Sequence, residues 1–341
     1  MKTKIIGTGS YLPPFEVDNN LLCKFYPGKG AKWIEQKTGI KKRRFGFDFE
    51  ANKMREGFFD NDLAEHAAKF ALEMSGVSST ELNLIVRITC TPEYLYFPDP
   101  ACVLNKRLKA SRDCAAYTIS AGCGGLLYAI KTVDDQIKAG GVSRALIVAS
   151  NAPSSFANTL DSKLVGRDEL NSVFFGDGAS AIILANEETE ERGILASYCG
   201  ACYEHDPIKY PAGGSRFPTS INNVYEHWYQ MDVKAIYSFF PTHFKYSIKK
   251  LMEIHPFSFG DINWFLFHQP NLRILEKLCG EMQIPMDKVL INVDKYGNTS
   301  AASIGILLDE AYRSGKIKKG DILLLVAVGT GWQYGAILIK W

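Results

Sequence analysis

The chain carries almost no excess charge, no long apolar run, and no metal or nucleotide signature that survives a check of its spacing. Lys and Arg number 39 against 37 Asp and Glu, a formal net charge of +2. That balance argues against a general nucleic-acid binder, whose footprint is strongly basic. No stretch reaches the roughly 18 uninterrupted apolar residues of a spanning helix, so no membrane insertion is expected. The opening residues, Met1-Lys2-Thr3-Lys4-Ile5-Ile6-Gly7, lack the apolar core of a signal peptide. The eight cysteines, at 23, 90, 102, 114, 123, 199, 202 and 279, form no small-scaffold disulfide framework. They read as reduced thiols in a cytoplasmic protein, with room for one nucleophile among them.

Two apparent cofactor motifs fail. Gly7-Thr8-Gly9 follows a strand-like run, but Leu12 stands where a dinucleotide loop needs its third glycine. Pro13-Pro14 then blocks the helix that would sit behind a phosphate. Cys199-Gly200-Ala201-Cys202 with His205 has metal-like spacing, but a structural zinc takes four ligands and no second pair is evident. Those cysteines read as buried thiols of a strand. No metal and no resident cofactor is expected.

What is present is an alternation of helical periods and apolar strands. Strands are expected at 2–7, 83–90, 115–120, 142–150 and 179–185, and helices at 61–74, 101–109 and 123–138. A similar order follows: helix 234–254, strand 262–267, helix 270–282, strand 289–292, a small-residue helix from Thr299, and strands 321–328 and 334–340. Ala145-Leu146-Ile147-Val148-Ala149 before Gly178-Ala179 echoes Ile322-Leu323-Leu324-Leu325-Val326 before Gly335-Ala336. The pattern predicts an α/β protein of two duplicated halves, 1–185 and 186–341, with helices on both sheet faces. The buried run 145–149 is a candidate for pairing across a dimer axis. Residues 200–233, rich in Pro, Gly, Asn and Tyr, read as an insertion lining a pocket.

Three residues carry candidate chemistry. Cys123, in Ser120-Ala121-Gly122-Cys123-Gly124-Gly125, sits at a strand-to-helix junction among residues small enough for a substrate to approach. The helix start favours a thiolate, and the Cys123 N–H can face a developing oxyanion. The bland alternative is a buried structural thiol. His268, in Phe267-His268-Gln269-Pro270, ends an apolar strand where α/β folds keep their chemistry, with Pro270 in the following helix's first turn. Asn298, in Gly297-Asn298-Thr299-Ser300, precedes a helix and equally suits an N-cap. A thiol, an imidazole and a carboxamide on three strand-end loops can share one pocket.

At these residues the chain resembles the β-ketoacyl-acyl-carrier-protein synthase III family of thiolase-fold condensing enzymes. The likeness runs from Ile5–Pro13 through Trp33-Ile34, Thr38-Gly39-Ile40, Phe97-Pro98, the Cys123 segment and Phe175-Gly176-Asp177-Gly178-Ala179. It continues at His268-Gln269, Asn271-Leu272-Arg273, Gly297–Ser303 and the C-terminal glycine turn. The resemblance implies two βαβαβαββ halves in a five-layer αβαβα homodimer. It also implies that Cys123 takes an acyl group from a coenzyme A thioester. Decarboxylative Claisen condensation with a malonyl thioester on an acyl carrier protein then gives a β-ketoacyl thioester. His268 and Asn298 would stabilise the enolate, and the N–H groups of Cys123 and Thr330 the other oxyanion.

The resemblance further implies that Trp33, Lys37, Phe97, Val233 and Asn271 contact substrate. Trp33 would stack on adenine, and Phe97 would close the neighbour's acyl pocket. For both, ordinary packing is the alternative. Lys249, Lys250, Arg273 and Lys277 would receive the acidic carrier, or form a solvated helix face. Several positions depart from the family pattern: Pro270, Lys37 for an arginine, Ser238 for a lysine, Val233 for a glycine, and the turn Gly329-Thr330-Gly331-Trp332. These departures point toward a specialised pathway with an unusual starter. Two other functions fit the chemistry less fully: acyl transfer without condensation, and a non-catalytic partner subunit.

Overall fold

The computed structural model describes residues 2–26, 28, 30–95, 97–157, 172–187, 192–204, 208–210, 215 and 230–341. The first sheet takes five strands: β1 (Lys2–Tyr11), β2 (Leu84–Ile88), β3 (Ala115–Thr118), β4 (Arg144–Asn151) and β5 (Gly178–Glu187), in the order β1-β5-β4-β2-β3. The second sheet takes four: β6 (Gly193–Ala201), β7 (Trp264–Phe267), β8 (Ile322–Val328) and β9 (Gln333–Lys340), in the order β6-β9-β8-β7. In each, an antiparallel trio leads into parallel strands: β4 runs parallel to β2 and β8 to β7. Register places Ile147 opposite Ile182 in one sheet and Leu324 opposite Leu338 in the other.

Seven helices matter for the site: α1 (Ala31–Thr38), α2 (Asp60–Ser75), α3 (Pro100–Leu108), α4 (Gly125–Lys138), α5 (Val233–Ile254), α6 (Leu272–Met282) and α7 (Ser303–Arg313). Both sheets are apolar on two faces, so each must be covered twice. α4 and α7 lie between the sheets, where Leu126, Ile130, Ile304 and Leu308 pack against Ile147, Ile182, Leu325 and Ile337. α2 and α3 cover the outer face of the first sheet, and α5 and α6 that of the second. The result is five alternating layers. Across the middle, Asp309 of α7 accepts hydrogen bonds from Thr8 Oγ1 at 2.8 Å and Ser10 Oγ at 2.6 Å.

Three expectations change. No strand forms over 289–292. Val289 makes only an isolated bridge to Phe265, and the Gln269 side chain meets the backbone beyond it. Its Nε2 donates to Leu290 O (3.3 Å), and its Oε1 accepts from Asn292 N (3.2 Å) and Val293 N (3.3 Å). One carboxamide replaces a ladder. Second, the strand holding 145–149 is flanked by β5 and β2, so its hydrogen bonds are spent within the sheet, whereas β3 is an edge. Third, Pro270 stands ahead of α6: the cap is Asn271, whose Oδ1 accepts from Arg273 N at 2.8 Å. The long segments 158–171 and 216–229, and His205, lie outside the described residues. Of the insertion, Ile208–Lys209 pairs with Gln230–Met231.

Candidate active site

A single 3-10 turn, Gly122–Gly124, links the end of the first sheet to α4 and carries Cys123. Its glycines are required by contact. A Cβ on Gly122 (φ +51°) would lie 2.4 Å from Thr330 Oγ1, one on Gly124 2.8 Å from Gln333 O, and one on Gly125 2.4 Å from Ile88 Cγ2. From the other side, a Cβ on Gly329 would lie 2.9 Å from Cys123 N. The turn Gly329-Thr330-Gly331 is thus pressed against the backbone of the cysteine.

His268 follows the last residue of β7, and its N–H donates to Val326 O at 2.9 Å. Its Nδ1 lies 2.9 Å from Ser303 Oγ, which also accepts from Gln269 N at 3.4 Å. Asn298 is held by backbone: its N–H donates to Phe174 O at 2.8 Å, and its carbonyl accepts from Gly176 N at 3.1 Å. A Cβ on Gly176 would sit 1.9 Å from Tyr296 O, which explains the glycine in the Phe175-Gly176-Asp177 motif. Asp177 anchors that motif, accepting from Gly46 N (2.6 Å), Ser154 N (2.9 Å) and Ser154 Oγ. Burial pushes its carboxyl up to about 7. The Asn298 Oδ1 accepts from Ser300 N at 2.8 Å, as a cap would. Because a backbone N–H can only donate, Nδ2 is left as this amide's donor.

Cys123, His268 and Asn298 all line one cavity, with Val233, Asn271 and Thr330 also on its wall. A second cavity meets the first at Cys123 and is lined by neither His268 nor Asn298. Ser300 sits at the junction, its Oγ 3.4 Å from Cys123 Sγ and 3.8 Å from Cys90 Sγ. Burial pushes the Cys123 thiol up to about 12, with Cys90 adding to it, against the lowering effect of Ser300 and its own N–H. The expected thiolate is therefore not the resting form here, because desolvation outweighs the helix start. Burial also lowers His268 to about 3, so the imidazole is neutral.

The remaining expected contacts divide. Asn271 has its amide engaged, donating to Tyr237 Oη at 2.9 Å and Lys37 O at 3.4 Å. That joins α6 to α1, as does Gly39 (φ +74°), where a Cβ would lie 2.5 Å from Leu272 Cβ. Trp33 is half-buried against a separate aromatic cluster, and neither it nor the exposed Lys37 lines the cavity. Phe97 is 87% exposed, so it does not pack within its own subunit. Of the four basic residues expected to receive the carrier, three face carboxylates: Lys250 pairs with Glu253 (2.6 Å), Arg273 with Glu276 (2.9 Å) and Lys277 with Glu281 (3.8 Å). Arg273 also donates to Gln36 O at 3.0 Å. The residues missed from sequence are Ser303, Ser300 and Gln269. Only Gln269 had a signal, its place beside His268.

Five layers of this kind, with the chemistry buried where two central helices begin, are the thiolase fold of condensing enzymes. The family model for 3-oxoacyl-[acyl-carrier-protein (ACP)] synthase III matches residues 117–202, and that for its C-terminal part residues 252–341. A β-ketoacyl-[acyl-carrier-protein] synthase III of Caldanaerobacter subterraneus subsp. tengcongensis is 37% identical over 340 residues, 99% of this chain and 97% of that protein. The crystal structure of 3-oxoacyl-[acyl-carrier-protein] synthase III from Aquifex aeolicus is similar at a TM-score of 0.85 and 32% identity, over 99% of this chain and 100% of that one. The priming β-ketosynthase from the R1128 polyketide biosynthetic pathway gives a TM-score of 0.84 at 26% identity, over 99% and 96%. The chain belongs to the 3-oxoacyl-[acyl-carrier-protein] synthase III family, and it is a condensing acyltransferase.

Proposed function

We propose that Cys123 accepts an acyl group from a coenzyme A thioester and passes it to a malonyl-type thioester on acyl carrier protein. The observation that carries this reading is the position of Cys123 at the meeting point of two cavities, only one of which holds His268 and Asn298. The thioester enters beside His268 and Asn298, and the acyl chain extends into the other cavity. The Cys123 sulfur attacks the thioester carbonyl, the carbon–sulfur bond to coenzyme A breaks, and the thiol proton leaves with the departing coenzyme A. The malonyl thioester then loses carbon dioxide, and the bonding pair moves into an enolate. That carbon attacks the acyl-cysteine, and Cys123 leaves as thiolate and is reprotonated.

His268 and Asn298 serve this step as donors to the enolate oxygen. In this proposal Ser303 Oγ, 2.9 Å from His268 Nδ1, donates to that nitrogen and leaves the ring proton on Nε2. A neutral imidazole in that tautomer is a donor. Asn298 Nδ2 is the second. The N–H groups of Cys123 and Thr330 form the other oxyanion site, supported by the contact between their turns. The chemistry uses no metal and no resident cofactor.

The proposed assembly is a homodimer in the cytoplasm. β3 offers a free edge, and the exposed Phe97 reaches toward the partner's acyl cavity. Asn271 and Val233 line the route of the thioester, Trp33 and Lys37 flank its outer end, and Lys249, Lys250, Arg273 and Lys277 receive the carrier. No helix among the described residues is long and apolar enough to cross a membrane. The test is intact-mass analysis after incubation with a panel of acyl-coenzyme A thioesters. One acyl adduct is expected on the wild type and none on Cys123→Ala. An unchanged adduct in the variant would place the nucleophile elsewhere.

A further inference from the structure

Two arginines are fully buried among the described residues, and the fold treats them differently. Arg87 is paired, its Nη2 2.7 Å from Asp60 Oδ2. Arg43 bonds only to neutral acceptors. Its Nη1 donates to Asn19 Oδ1 at 2.8 Å and to Val17 O at 3.3 Å, and its Nη2 to Val173 O at 2.9 Å. Burial lowers this guanidinium to about 10, against smaller raising effects from Cys23 and Asp18, so it stays charged at neutral pH. A buried cation that faces no carboxylate is costly to keep.

What Arg43 holds gives that cost a use. It sits on the short strand Lys42–Arg44, opposite Val17. Val173, 130 residues further on, begins the segment that grips Asn298. Phe174 O accepts from Asn298 N at 2.8 Å, and Gly176 N donates to Asn298 O at 3.1 Å. At the far end of the segment, Asp177 N donates to Arg44 O at 2.8 Å. Between them, a Cβ on Gly176 would come 3.2 Å from Arg43 Cβ. Residues 173–177 are thus tied at one end by the Arg43 side chain and at the other by the Arg44 backbone, with Asn298 bonded in the middle. A guanidinium suits the task, because its donors are planar and fixed and a charged donor bonds more strongly than a neutral one.

We propose that Arg43 is a positioning residue for Asn298: through Val173 it sets the backbone that aims the Asn298 carboxamide at the enolate oxygen. This rests on the reading of Asn298 as an enolate donor. Arg43 lines neither cavity at Cys123, so it acts through the segment and not on the substrate. A displaced donor weakens the step in which negative charge develops before it. Loading of Cys123, which uses other donors, is spared.

The test follows two rates on the full-length protein: adduct formation with an acyl-coenzyme A that loads the wild type, and carbon dioxide release from malonyl-acyl carrier protein. In Arg43→Gln, carbon dioxide release should fall about tenfold, inside the roughly hundredfold that a 1 Å misplacement can cost, while adduct formation stays within about twofold of wild type. In an Asn298→Ala background the same substitution should lower carbon dioxide release by less than about twofold, because the carboxamide it aims is gone. General damage to the fold would instead multiply with the loss from Asn298→Ala. Equal losses in both steps would overturn the proposal, as would unchanged carbon dioxide release or a tenfold loss on top of Asn298→Ala. Should the glutamine variant not fold, Arg43→Lys, which keeps the buried charge but not the planar fork, carries the same comparison. If neither variant shows native circular dichroism, Arg43 holds the fold and the proposal is overturned. Wild type that loads and turns over, with variants that lose both steps alike, sinks this inference alone. Wild type that loads but releases no carbon dioxide sinks the condensation reading and this inference with it.

Discussion

The two central helices begin in the same way and with different residues. α4 is preceded by a 3-10 turn at Gly122–Gly124 and α7 by one at Ser300–Ala302. The first residue of each turn is left-handed, Gly122 at φ +51° and Ser300 at φ +54°. Glycine adopts this torsion freely, whereas another residue gives up roughly 1–2 kcal/mol. In the first half the glycine is compulsory, because the Thr330 turn occupies the space of any Cβ. In the second half a side chain is kept at a torsional cost, and its hydroxyl ends 3.4 Å from Cys123 Sγ. One geometry thus serves two ends: close approach of backbones in one place, delivery of a polar atom in the other. Strain of this size, retained beside reacting groups, is a mark of function more than of stability.

The comparison can be broken at the second helix first. Asn298→Ala removes a donor from the α7 side and leaves the α4 side intact. Acylation of Cys123 should persist, while decarboxylation of the malonyl thioester should fall by roughly a hundredfold or more, corresponding to ~3 kcal/mol. Carbon dioxide release measured beside adduct formation separates the two steps. Full turnover in this variant would favour acyl transfer without condensation.

Gly122→Ala attacks the other turn. The added methyl combines an unfavourable torsion with overpacking against Thr330, together about 2–4 kcal/mol of stability. Denaturant unfolding should show that loss, and a neutral result would mean the Thr330 turn yields easily. The smallest effect belongs to Ser300→Gly. Relief of the torsion offsets the added freedom of glycine, so stability should stay within about 1 kcal/mol of wild type. Loss of the hydroxyl should slow loading of Cys123 by about fivefold, the value of one neutral hydrogen bond. A destabilisation as large as that of Gly122→Ala would show that Ser300 is there for packing.

The layered fold was legible because its signals are local. The helix over Asp60–Ser75 and the strands Arg144–Asn151 and Ile322–Val328 follow from periodicity and apolar runs alone. The convergence of Cys123, His268 and Asn298 on one cavity was expected from their places at strand or helix ends together with the family resemblance. The failures come from long-range effects. The run 289–292 has strand propensity, but Gln269, 20 residues earlier in the chain at its nearest, satisfies the backbone groups a ladder would need. The resting state of Cys123 could not be read from its helix start, because its burial, and after that its interaction with Cys90, depend on elements far away in sequence. Ser303 looks like an ordinary small helix residue until His268 is brought to 2.9 Å from it.

Gly176 shows how far the duplicated halves have ceased to be independent. The backbone of Phe174–Gly176 belongs to the first half, yet it is bonded on both sides of Asn298 in the second, with no room for a methyl between them. The Asn298 carboxamide is therefore presented by one half and aimed by the other. A gene for either half alone would encode most of a sheet and its helices but not a working site.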